Sequence, residues 1–359
     1  MAPTELIRLQ IGVVGLGRMG RRHALNILHL TPRANLLCAC SPAQADIEWA
    51  DQNLIQHGVH ICSSFEEMVK IPGLEAVIIA SSTGLHASQS LSALELGIHV
   101  LCEKPVTLDT HELQAIINKA QSIPETKMMV GFTRRFDDSY KDARLKIQEG
   151  QIGQPVVIRS HGVEEFDESG FFINYARQSG GIFVDSTIHD IDLALSFLGE
   201  NIQPKKIWAT GVIARYHEMK EFHDSDNAVG VVEFWGGEIA HFYNSRTGNQ
   251  GYDNMTEIFG TGGKLTVNAV ARKNRVEVTS KNTVQNDILP TWMDRYEQAF
   301  VNEVNAFTAA ILDNKELPIK LTSALTSLKI GLALQESLVS GYPIRFDQEG
   351  NRIAPSASL

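Results

Sequence analysis

The run Gly15-Leu16-Gly17-Arg18-Met19-Gly20 follows an apolar segment, Leu9–Val14, and opens a stretch of helical period, Gly20–Leu30. That order of strand, glycine turn and helix constrains the fold more than anything else in the chain. Gly15 suits a tight turn, Gly17 lets the backbone approach a pyrophosphate, and Gly20 permits close helix–strand packing. The helix start adds N–H groups and partial positive charge. A dinucleotide-binding loop is expected here, with Arg18 and Met19 inside it and Arg21 and Arg22 just beyond.

The next segments repeat the alternation. Leu36–Cys40, Ala76–Ala80, His99–Leu101 and Lys127–Val130 read as short strands, separated by helical stretches at Pro42–Gln56, His86–Gly97 and Thr110–Gln121. Strand and helix in turn predict a doubly wound parallel sheet, a Rossmann domain over residues 1–131.

After Gly131 the texture changes. Tyr140–Glu149 and Ile182–Leu198 read as helices, and strand-like runs follow at Pro155–His161, Lys206–Ala214, Ala228–Phe234, Glu238–Ser245, Met255–Gly260, Lys264–Val267 and Arg275–Thr279. Gly236-Gly237 and Gly262-Gly263 mark turns between them. Arg295–Asp313 and Leu321–Ser340 return to helix. Residues 132–359 are thus expected to form an α+β domain on a large, open, mainly antiparallel sheet. Its bare face needs a helix layer or a second subunit.

Composition narrows the partners. A formal charge of −10 argues against a nucleic-acid groove. No stretch reaches the roughly 18 apolar residues of a membrane span. Neither the secretory pattern at the N-terminus nor a Ser-Lys-Leu address at Ala357-Ser358-Leu359 is present, so a cytoplasmic protein is expected. Cys38, Cys40, Cys62 and Cys102 match no metal-ligand spacing and read as buried thiols; no metal is expected.

Three segments carry the chemistry. The second strand ends Cys38-Ala39-Cys40-Ser41, so Ser41 stands where an acidic residue would hold the ribose hydroxyls. Without that carboxylate a 2′-phosphate is not repelled, and Ser41, with Arg18, would bond it; this tilts the expectation from NAD toward NADP. Glu103-Lys104-Pro105 follows the strand His99–Leu101, at the carboxyl edge of the sheet where ligands bind. A lysine there polarises a substrate hydroxyl. Asp185 and His189 lie four residues apart in the predicted helix Ile182–Leu198 and share one face. Histidine suits proton transfer near neutrality.

Taken together, Gly15–Gly20, Glu103-Lys104-Pro105, the run from Val130 to Asp137, Gly180–Asp192, Gly251-Tyr252-Asp253 and Glu257–Gly260 resemble the glucose–fructose oxidoreductase/inositol dehydrogenase (Gfo/Idh/MocA) family over nearly the whole chain. The resemblance implies a lysine–aspartate–histidine site at Lys104, Asp185 and His189, and a homodimer or homotetramer formed through the second-domain sheet. It places Arg134 and Tyr252 near substrate hydroxyls. It extends the cofactor set, Gly15, Gly17, Arg18, Met19, Gly20 and Ser41, to Ser81, Thr83, Glu103 and Lys104. Its inositol 2-dehydrogenase branch is the most similar, so hydride exchange between NAD(P) and a polyol, inositol or cyclic sugar is expected. The segment from His161 to Gly180 departs from the pattern. Two alternatives stand beside this: an NADPH-dependent reductase of a non-sugar carbonyl or dihydrodiol-type compound, favoured by Ser41, and a non-catalytic dinucleotide sensor.

Overall fold

The computed structural model describes residues 7–354. The chain forms two compact units that do not follow one cut in the sequence. The first runs to Phe136 and takes in Gln298–Leu325; the second comprises Asp137–Glu297 and the chain from Thr326 onward. The single boundary expected after residue 131 is therefore replaced by three crossings.

The first unit holds six parallel strands, β1 (Leu9–Val14), β2 (Ala34–Cys40), β3 (His60–Cys62), β4 (Ala76–Ile79), β5 (His99–Cys102) and β6 (Met128–Val130), in the order β3-β2-β1-β4-β5-β6. The order reverses between β1 and β4, as in a Rossmann fold. β4 is buried at every position, as a strand covered on both faces must be. Helices α1 (Arg18–Leu30), α2 (Gln44–Asn53), α3 (Phe65–Met68), α4 (Thr83–Glu95) and α5 (Thr110–Ser122) link the strands. Asp109 caps α5 by accepting the His111 and Glu112 N–H groups, an arrangement worth about 1 kcal/mol. The short β3 and α3 were not anticipated; a three-residue strand is too brief to show a period.

In the second unit, α6 (Asp138–Gln148) leads to β7 (Pro155–Glu165), then α7 (Phe171–Ala176), α8 (Ile182–Asp185) and α9 (Ile188–Leu198). Strands β8 (Pro204–Val212), β9 (Asn227–Phe234), β10 (Ile239–Gly248), β11 (Asp253–Gly260) and β12 (Lys264–Val267) follow. The hairpin β13 (Val278–Ser280) and β14 (Thr283–Gln285) stands apart as its own two-stranded sheet, so the strand expected at Arg275–Thr279 does not join the large one. After α10 (Trp292–Arg295), α11 (Glu297–Leu312) and α12 (Leu321–Ser340), the short β15 (Ile344–Phe346) and β16 (Arg352–Ile353) complete an eight-stranded sheet of order β12-β11-β7-β10-β9-β8-β15-β16. Every pair is antiparallel except β10 with β7.

One face of that sheet carries the core. A Cβ at Gly230 of β9 would meet Leu334 of α12 at 2.7 Å and Phe183 of α8 at 2.9 Å, so the missing side chain is what lets these helices lie against the strand. The opposite face leaves Trp208, Val212 and Ile239 exposed. A shallow hollow of about 540 Å³ opens there, lined by Thr210, Val212, Asn227, Val229, Tyr243 and Thr247.

The return segment joins the first unit through specific contacts. Lys127 Nζ donates to the Ala310 and Lys315 carbonyls, Arg33 forms a two-point pair with Asp313, and Glu303 of α11 accepts the Thr133 hydroxyl at 3.0 Å. Among the described residues no helix is long and apolar enough to cross a membrane. The expectations about the two chain ends lie outside the described residues.

Candidate functional site

The glycine loop has the conformation its residues were read for. Gly15 sits at φ 83°, and a Cβ there would strike the Ser81 backbone at 2.6 Å. A Cβ on Gly20 would lie 1.7 Å from the Gly15 carbonyl oxygen. Gly17 has nothing within 4 Å of that position and precedes Arg18 and Met19 at the start of α1. A bare backbone turn over the first N–H groups of a helix is a cradle for a pyrophosphate, so these residues fit a dinucleotide.

Ser41 does not behave as expected. It is buried, at 2% exposure, and its Oγ donates to Asp46 Oδ2 at 2.8 Å. The hydroxyl assigned to a 2′-phosphate is thus committed to a carboxylate. The tilt toward NADP loses its support. Asp46 also accepts Arg21 Nη2 at 2.8 Å, and Arg21 Nε donates to the Leu16 carbonyl inside the glycine loop.

Two further loops surround this one in the first unit. Ser81 donates to Gln89 at 2.7 Å, and Thr83 opens α4. Glu103 accepts from His23 Nε2 at 2.8 Å. Burial works to raise that carboxyl, and His23, Lys104 and His86 outweigh it and hold it below the usual range. Lys104 is half-buried, and its bond to Pro105 is cis. His86 ties the loops together. Its Nδ1 meets the Pro105 carbonyl at 2.8 Å and its Nε2 the Ser81 carbonyl at 3.0 Å. Arg134 and Arg135 are buried in the 3₁₀ turn Thr133–Phe136, where Arg135 Nη2 donates to Ser323. Glu303 is wholly buried, and burial together with Glu103 pushes its carboxyl well above the usual value.

In the second unit the predicted helix Ile182–Leu198 is broken. α8 stops at Asp185 and α9 starts at Ile188. The Thr187 N–H reaches back to the Ile182 carbonyl, five residues earlier, and its hydroxyl bonds both that carbonyl and Asn244. Such a side-chain bond competes with the regular helical one. Asp185 and His189 therefore do not share a continuous helix.

Asp185 is 7% exposed, and both of its oxygens are engaged. Oδ1 accepts the Tyr175 hydroxyl at 2.9 Å, and Oδ2 accepts Arg246 Nη2 at 2.5 Å. Arg246 reaches Glu164 at 3.4 Å and lies under the Phe172 ring at 4.3 Å. Burial opposes the guanidinium charge, but Asp185 and Glu164 outweigh it and keep it protonated. His189 is half-buried on the first turn of α9, while the following Asp190 accepts Ser160 Oγ at 2.6 Å. Tyr252 follows Gly251, at φ 92°, and is buried edge-on to Tyr296 with 6.2 Å between ring centres. Among the described residues no group of three or more His, Cys, Asp or Glu is arranged to hold a metal ion.

Sequence reasoning missed Asp46, Arg246 and Tyr175. Asp46 had a signal: an acid in the first turn of the helix after Ser41, within reach of the strand end. Arg246 had none, because only the β10 backbone brings it to Asp185.

Comparison with known proteins places the chain among oxidoreductases. Residues 9–132 match the family model described as an oxidoreductase family with an NAD-binding Rossmann fold. Residues 140–266 match the GFO/IDH/MocA C-terminal domain. The chain is 32% identical over 343 residues to scyllo-inositol 2-dehydrogenase (NAD(+)) of Bacillus subtilis, covering 95% of this chain and 97% of that one. It is 28% identical to the myo-inositol 2-dehydrogenase of Thermotoga maritima, over 95% and 99% of the two chains. The crystal structure of scyllo-inositol dehydrogenase from Lactobacillus casei with bound NAD(H) and scyllo-inositol superposes with a TM-score of 0.89 at 33% identity, over 94% of this chain and 99% of that one.

Proposed function

This chain belongs to the Gfo/Idh/MocA family of oxidoreductases, and from that premise we propose that it is an NAD-dependent dehydrogenase of a cyclic polyol of the inositol type. The observation that carries the reading is the likeness, along almost the whole chain, to the scyllo-inositol dehydrogenase holding NAD(H) and scyllo-inositol. Gly15, Gly17, Arg18, Met19 and Gly20 would hold the pyrophosphate, with Ser81, Thr83, Glu103 and Lys104 along the remainder. NAD, when bound, supplies the hydride acceptor.

The chain's own residues manage the proton. His189 accepts the hydroxyl proton of the carbon being oxidised. Lys104 donates a hydrogen bond to the same oxygen and favours its developing negative charge. Asp185, fixed by Arg246 and Tyr175, is assigned to a neighbouring hydroxyl. Arg134 and Tyr252 are assigned to further hydroxyls. The exposed Trp208, Val212 and Ile239 support a homodimer or homotetramer that covers the bare sheet face. Four free thiols suit the cytoplasm.

The test is nicotinamide absorbance during incubation with myo-inositol, scyllo-inositol, glucose and xylose, with NAD and NADP in parallel. Turnover of an inositol with NAD is expected. Silence on every polyol with either cofactor overturns the proposal.

A further inference from the structure

The end of β2 offers no carboxylate, yet one reaches it from the next helix. Asp46 stands in the first turn of α2 and is held from two sides. Ser41 Oγ, at the strand end, donates to Oδ2, and Arg21, on α1, donates to Oδ1. Arg21 is itself anchored, with Nε on the Leu16 carbonyl at 2.8 Å and its guanidinium over the Trp49 ring at 4.9 Å. The carboxylate is thus pinned to both elements whose ends flank the adenosine ribose in a Rossmann site.

We infer that Asp46, five residues beyond the usual position, is the group by which this site selects a free 2′-hydroxyl over a 2′-phosphate. Two properties support it. A carboxylate has about four acceptor positions and only two are used here, which leaves capacity for the ribose hydroxyls. Its side chain is 20% exposed, so a ligand can reach it, whereas Ser41 is buried and spends its proton on Asp46. A 2′-phosphate would bring nearly two negative charges against this carboxylate. Ser41, expected from sequence to bind a 2′-phosphate, instead joins Arg21 in holding the group that repels phosphate. Without Asp46 both are released, and Arg21 becomes a phosphate donor.

The inference rests on the dinucleotide reading above, and direct binding separates the two. The full-length protein and its Asp46→Asn and Asp46→Ser variants are titrated with NADH and with NADPH, following nicotinamide fluorescence at equilibrium. The native protein should bind NADH at least tenfold more tightly than NADPH. Both variants should shrink that ratio by about tenfold or more, which corresponds to about 1.4 kcal/mol. Most of the change should appear as tighter NADPH binding, and adding Arg21→Ala to Asp46→Ser should remove the gain. An unchanged ratio in whichever variant retains the native Tm overturns the assignment, as does equal binding of both cofactors by the native protein. Binding of neither by the native protein overturns the dinucleotide reading, and this inference with it.

Discussion

His86 sits between two backbone carbonyls, Pro105 at 2.8 Å and Ser81 at 3.0 Å. A neutral imidazole carries one N–H, so two acceptors require the doubly protonated ring. Burial opposes that charge; the Cys102 sulfur and the two carbonyls outweigh it and lift the ring from 6.5 to about 9. At about 1.4 kcal/mol for each tenfold change in proton affinity, the charged ring stabilises the fold by about 3 kcal/mol. Because the folded value lies above the unfolded one, this stabilisation is fully present below about pH 6.5 and is lost as the pH rises through about 9. Urea unfolding of the native protein and of His86→Gln, at pH 6, 8 and 10, isolates the contribution, since glutamine does not titrate. The gap between the two proteins should narrow by about 3 kcal/mol from pH 6 to pH 10. Nitrogen-15 spectra of labelled histidine at pH 7.5 should show both ring nitrogens protonated. A constant gap, or a neutral ring at pH 7.5, refutes the reasoning.

His189→Ala should lower kcat by about 10² to 10⁴ and leave NADH affinity unchanged; stopped-flow turnover beside fluorescence titration checks both. Arg246→Ala strips the buried Asp185 of its counter-charge and should cost about 3–5 kcal/mol by urea denaturation; a loss under about 1 kcal/mol would show the pair to be energetically idle. Gly20→Ala sets a methyl 1.7 Å from the Gly15 carbonyl and should abolish dinucleotide binding by the same titration. Glu303→Gln should fold normally. Because the native carboxyl is raised by burial and by Glu103, the stability it contributes is lost as the pH rises from about 4.5. The variant's Tm should therefore gain on that of the native protein across that range.

Much of this architecture was legible in the sequence. β1, β12 and α12 begin and end where their apolar periods do, because each is a regular element with one or both faces buried. The break between α8 and α9 was hidden, because the hydroxyl that causes it belongs to a threonine, common enough in intact helices. The glycine loop could be found because its local spacing fixes its turn. Arg246 could not: its pairing with Asp185 spans 61 residues and depends on strand register alone. Ser41 was misread for a related reason. A hydroxyl at a strand end says little until its partner is known, and Asp46 reverses its meaning.

The three crossings of the chain bear on the order in which the protein matures. A ribosome adds about 5–20 residues each second and releases them from the N-terminus onward. Strands β1 to β6 emerge early, but the helix that brings Glu303 to Thr133, and the carbonyls that receive Lys127, lie in Gln298–Leu325. The nucleotide-binding half of the molecule must therefore wait, incompletely covered, while nearly all of the second half is synthesised. A nascent chain halted before residue 298 would carry every strand of the first sheet and still lack its closing helix.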